Sequence, residues 1–205
     1  MSDYSIDTLK IAFVGAGGTG KSTIAQAIRD YYISSGCKIN YLPSRISDIG
    51  KQMGLNHYNA FHPNQCSFQW SILFAQIAKE QALSENGYGF VTDRCSLDYI
   101  ANAVQKIEEK KLNSSLMSYY FQIAREHART YDLIVFIPVE FENTGSDKKT
   151  NSWKERDNEK RKRTNDIIYG ELVKNDIAYL RVSGSVNNRM QQIQEYLYER
   201  YGIDL

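Results

Sequence analysis

Lys10-Ile-Ala-Phe-Val14-Gly15-Ala-Gly17-Gly18-Thr19-Gly20-Lys21-Ser22-Thr23 is the stretch on which the fold turns. An apolar run entering a cluster of glycines is the pattern of a buried strand feeding a tight turn. From Gly15 to Ser22 the sequence fits G-x-x-x-x-G-K-[ST] at every fixed position. Beyond it, Ile24, Ala25, Ala27, Ile28 and Tyr31 recur at helical spacing, and Gly36 closes the helix. Strand, glycine turn and helix are the context in which this motif binds phosphate. Glycines let successive N–H groups converge on one point, and the helix N-terminus favours an anion there. Gly15, Gly17, Gly18, Thr19, Gly20, Lys21, Ser22 and Thr23 are therefore candidates to hold a nucleoside triphosphate. Lys21 would reach the β- and γ-phosphates, and the Ser22 hydroxyl would ligate Mg²⁺. The bland alternative, a glycine-rich turn that binds nothing, has the complete motif and its flanks against it.

Working outward, Lys38 to Leu42 reads as a second strand stopped by Pro43, and Ser67 to Glu85 as a long helix. Phe90-Val-Thr92 is a third strand, followed by helical patterns over about 96–110 and 115–130. Leu133 to Ile137 is the clearest buried strand, Ala178 to Val182 a fifth, and Val186 to Tyr201 a closing helix. Nearly continuous apolar strands alternating with helices imply a parallel sheet covered on both faces, a three-layer α/β fold. The 205 residues suit a single domain, 1–205, with a core large enough to need no staple. Lys plus Arg is 25 against 24 Asp plus Glu, so a formal charge of +1 demands no polyanionic partner. Apolar runs fall far short of the roughly 20 residues that span a bilayer. Asp3 and Asp7 interrupt any signal-like N-terminus, and Cys37, Cys66 and Cys95 are odd in number and scattered. Together these predict reduced thiols and a cytoplasmic chain without membrane attachment.

A phosphate loop alone specifies a triphosphate, not a reaction. The residues after the third strand discriminate: Gly89-Phe-Val-Thr-Asp93-Arg94 places arginine immediately after the acid, and no Asn-Lys-x-Asp guanine reader is present. Asp-Arg at this point, with Phe68-Gln69, Gln76, Glu80 and Asp98-Tyr99, resembles the P-loop nucleoside and nucleotide kinases. The likeness is greatest to the subgroup that includes the nicotinamide riboside kinase domain of a bacterial NAD regulator. It runs from Leu9 to about Leu197. The resemblance implies a five-stranded parallel sheet in the order 2-3-1-4-5, with a lid before the last strand.

By the same resemblance, Asp93 would sit beside Ser22, holding the Mg²⁺ water shell or accepting a proton from the acceptor. Arg94 would contact phosphate of donor or acceptor. The competing reading makes Asp93 the N-cap of the helix that starts at Ser96. Residues 143–163 carry eight basic and four acidic residues, a net +4. The segment lies where these kinases carry the lid, with Arg156 and Arg161, or Arg163, as its catalytic arginines; the alternative is a solvated charged face or an Asp157–Arg161 helix pair. Arg45, Phe68 and Gln69 fall in segments that line the acceptor side in relatives, although the acid found there in many relatives is missing from Pro43-Ser44-Arg45. Phe68 and Trp70 would stack a base or simply fill the core. His57, His62 and His127 show no metal-ligand spacing.

Three functions fit. The first is an ATP- and Mg²⁺-dependent kinase, monomer or homodimer, acting on a small nucleoside or nucleotide acceptor. The second phosphorylates a hydroxymethylated pyrimidine within DNA, with the basic segment on the backbone. The third is a nucleotide-binding regulatory module, which would need neither Asp93-Arg94 nor an arginine-rich lid.

Overall fold

The computed structural model describes residues 5–44, 46–52, 65–141 and 158–203. Five parallel strands form one sheet: β1 (Lys10–Val14), β2 (Asn40–Leu42), β3 (Phe90–Thr92), β4 (Leu133–Phe136) and β5 (Leu180–Arg181). Their order is β2-β3-β1-β4-β5, as the kinase resemblance implied. β1 is central, pairing Ala12 with Thr92 on one side and with Ile134 on the other. Every residue of β3 and β4 is buried, as expected of strands that have helices above and below.

Alternation along β1 and β4 divides the core into two layers. Ala12, Val14, Ile134 and Phe136 face α3 (Gln65–Glu85), α4 (Ser96–Glu108), α5 (Ser118–Ala128) and α6 (Asn158–Lys174). Ile11, Phe13, Leu133 and Val135 face α1 (Lys21–Ser34) and α7 (Val186–Tyr201). On α1, Ile24, Ala25, Ile28 and Tyr32 are the buried stripe, at the spacing the sequence predicts. Among the described residues, no helix is long and apolar enough to cross a membrane.

Two elements differ from the sequence reading. A short helix, α2 (Ile46–Gln52), follows Pro43, where no helix was expected. The polar segment expected over 143–163 gives way at Asn158 to α6, whose buried residues are Arg161, Ile168 and Leu172. An arginine fills the inward position of its first turns, so the apolar period is interrupted where the helix starts. The edge strands β2 and β5 are also shorter than the five-residue runs expected for each.

Candidate active site

Gly15 leaves β1 with φ +152°, and a Cβ there would lie 2.3 Å from the Ile137 carbonyl oxygen. Only glycine lets the loop pass this close to the end of β4. Gly20, at φ +91°, caps α1 in the left-handed region. Between them the Thr19 hydroxyl donates to the Ala16 carbonyl at 3.0 Å, closing the loop on itself. The Lys21 side chain is 7% exposed and donates to the carbonyls of Gly15 (2.5 Å) and Ala16 (2.8 Å). Gly18, Ser22 and Thr23 are exposed at the mouth.

The parallel β1–β3 pairing brings the end of β3 beside this mouth. Ser22 Oγ donates to Asp93 Oδ2 at 2.6 Å across 71 residues. The Tyr41 hydroxyl donates to the same oxygen (3.1 Å), and the Ser44 N–H donates to Oδ1 (2.7 Å). These partners displace the N-cap reading of Asp93. The cap of α4 is Cys95, whose N–H donates to Asp98 Oδ2 at 2.9 Å. Burial and the neighbouring Asp93 carboxylate push the Tyr41 phenol above its ordinary pKa.

Asp98 is the acid that ties the two motifs together. It is 3% exposed; its Oδ1 accepts from the Gly15 N–H at 3.4 Å and lies 3.8 Å from Lys21 Nζ and 3.6 Å from the Arg94 guanidinium. Burial raises its pKa, and the two cations oppose that rise. Asp98 belonged to the sequence pattern of the resemblance, but nothing in the sequence assigned it a role. Tyr41 had no signal, because a strand tyrosine reads as packing.

Arg161 reaches the loop from α6 and is 4% exposed. Its Nε donates to the Gly17 carbonyl (2.9 Å) and its NH1 to Phe141 O (3.0 Å) and Asn158 Oδ1 (3.1 Å). Arg163 points elsewhere, pairing with Glu108 on the surface. Arg45 and Arg156, like most of the expected lid, lie outside the described residues. Phe68 is buried in the core cluster with Ile72 and Leu73. Gln69, 1% exposed, donates to Asn102 (3.4 Å) and accepts from the Tyr120 hydroxyl (3.5 Å). Trp70 stacks on Phe74 at 5.3 Å and meets Tyr120 edge-on, the packing reading of that residue.

A parallel 2-3-1-4-5 sheet with a P-loop after its central strand and Asp-Arg after the neighbouring one defines the α/β P-loop kinase fold. The chain matches the AAA domain family AAA_28 over residues 10–189 and belongs to it. Its structure is similar to deoxyadenosine kinase from M. mycoides with bound dATP: TM-score 0.65, 18% identity, covering 92% of this chain and 98% of that one. Thymidylate kinase from Ehrlichia chaffeensis gives 0.64 at 15% identity, covering 93% and 98%. The NadR protein in complex with NR gives 0.64 at 10%, covering 97% of this chain and 52% of that one. No curated protein matches the chain in sequence.

Proposed function

We propose that the chain is an ATP- and Mg²⁺-dependent phosphotransferase acting on a hydroxyl or phosphate of a nucleoside, nucleotide or similar small acceptor. The observation that carries this reading is the 2.6 Å contact between Ser22 of the loop and Asp93 of the Asp-Arg pair. A hydroxyl and a carboxylate side by side are the hard oxygen donors that suit Mg²⁺, so Ser22 and Asp93 would hold it. When bound, the cation offsets the negative charge of the triphosphate. The loop N–H groups and Lys21 bind and orient the phosphates. Arg94 and Arg161 neutralise charge there, and Asp93 either holds the water shell of the cation or accepts the proton of an attacking hydroxyl. Residues 143–163 form the lid in this reading, and Arg161 is its described arginine at the loop. Fold likeness to two nucleoside or nucleotide kinases supports a small acceptor.

The DNA reading is disfavoured by what three of the four described basic residues of this segment already hold. Lys160 pairs with Glu109 at 3.4 Å, Arg161 with the loop and Arg163 with Glu108. The test incubates the protein with labelled ATP against nucleosides, nucleoside monophosphates and duplex DNA carrying hydroxymethylated pyrimidines. Label moving to one of the small acceptors is the expected result. Transfer to DNA alone would replace the acceptor class, and ATP binding without transfer to anything would leave a regulatory module.

A further inference from the structure

The carbonyls of the phosphate loop are held as firmly as its backbone turns. Those of Gly15 and Ala16 accept from Lys21, that of Gly17 from Arg161, and that of Thr19 from Arg189 NH1 at 2.7 Å. In a trans peptide the C=O and the next N–H point in opposite directions, and no described peptide is cis. Pinning the Thr19 carbonyl therefore also fixes the direction of the Gly20 N–H, at the start of α1.

Arg189 comes from the first turn of α7, 170 residues from Thr19, and is 6% exposed. Its NH2 donates to Glu140 Oε2 at 2.9 Å, and both Glu140 oxygens lie 3.1 Å from the Gly184 N–H that donates to them. One guanidinium thus joins the loop after β1, the chain leaving β4 and the turn after β5. Stability alone accounts poorly for it. Its Nε is buried without a partner among the described residues, and a buried ion pair is often matched or bettered by apolar residues of similar volume. The placement makes sense if the guanidinium serves the loop.

We propose that Arg189 is a positioning residue for the phosphate loop: by clamping the Thr19–Gly20 peptide it sets affinity for the polyphosphate tail of the ligand, independently of the base. This rests on the phosphate-binding part of the function proposed above. In this reading Arg189 acts through the Thr19 carbonyl, with Glu140 holding the other arm of its guanidinium.

Isothermal titration of wild type, Arg189→Gln and Arg189→Lys with ATP and with inorganic tripolyphosphate tests this, alongside thermal melts to verify folding. Arg189→Gln should weaken both ligands by the same factor, roughly 10- to 100-fold, the scale of one charge-assisted hydrogen bond. Arg189→Lys should recover part of it, leaving a loss of roughly three- to tenfold on both ligands, because an ammonium lacks the fork that serves Thr19 and Glu140 together. A purely structural role would lower the melting temperature without that matched loss. Unchanged tripolyphosphate affinity in folded Arg189→Gln overturns the clamp, as does a loss confined to ATP, which would place Arg189 against base or ribose. Should Arg189→Gln not fold, wild-type affinities in Arg189→Lys overturn it instead. A wild-type chain that binds neither ligand overturns the phosphate-site reading, and the clamp with it.

Discussion

Two buried clusters of ionisable groups lie on either side of Thr92, and they are built on opposite terms. On one side, Lys21, Arg94 and Asp98 balance one another, and Asp93 receives three donors. On the other, Gln76 donates to Thr92 at 3.0 Å and also to Glu80, which accepts from Tyr131 at 3.1 Å. There Glu80 Oε2 sits 3.2 Å from His127 Nε2, an ion-pair distance without hydrogen-bond geometry, and His127 Nδ1 is buried with no partner among the described residues. Burial pushes Glu80 up to about 7, against Gln76, Tyr131 and Lys10, and pulls His127 down to about 4. The first cluster keeps its charges by pairing them. The second sheds them by titration. A site for an anion needs fixed charge, whereas a cluster inside the α3–α5 layer is most stable when neutral.

That contrast predicts large functional effects on one side and pH-dependent stability on the other. Lys21→Ala should abolish phosphoryl transfer, by roughly 10³-fold or more. Its melting temperature should move by only a few degrees, because Arg94 remains beside Asp98. Turnover unchanged at saturating ATP would take the loop out of the mechanism. Asp93→Asn should lower turnover roughly 10²- to 10⁴-fold with a modest change in ATP affinity; an equal loss in both would make Asp93 a binding residue only.

Glu80→Gln should leave activity near wild type and change how stability depends on pH. A carboxyl whose folded pKa is raised contributes stability below its unfolded value, 4.5, and that contribution is lost as pH rises through about 7. His127 works from the other end: its stability is present above 6.5 and lost as pH falls through about 4. Glutamine removes the first loss, so the variant's melting temperature relative to wild type should rise between pH 5 and pH 8, by up to roughly 3 kcal/mol of stability. A difference that stays flat across that range would show that Glu80 is ionised in the fold throughout. The smallest effect belongs to the surface. Arg163→Ala, which removes the exposed pair with Glu108, should cost less than about 1 kcal/mol and leave turnover unaltered.

The sequence showed what local pattern encodes and hid what distant chain brings together. Gly15 to Ser22 and Asp93-Arg94 were legible because each motif is contiguous and follows an apolar strand. The sheet order came from resemblance, since strand runs alone do not say which neighbours pair. α6 was obscured by Arg161, a charged residue in a buried helical position that bonds the Gly17 carbonyl 144 residues away. Tyr41 and Arg189 were invisible for the same reason: their contacts with Asp93 and Thr19 are made across 52 and 170 residues. The motif residues were readable, and the distant side chains that contact them were not.

The central position of β1 also bears on synthesis at the ribosome. Its two neighbours are β3 and β4, so Ile11 meets Val91 on one side and Leu133 on the other. At about 5–20 residues per second, the second of those partners is made roughly 6 to 25 s after the first strand. Through that interval Ile11-Ala-Phe-Val14 has at least one flank of the sheet open, since β3 is made before β4. Enclosure of the first strand made therefore waits until Leu133 to Phe136 has cleared the exit tunnel.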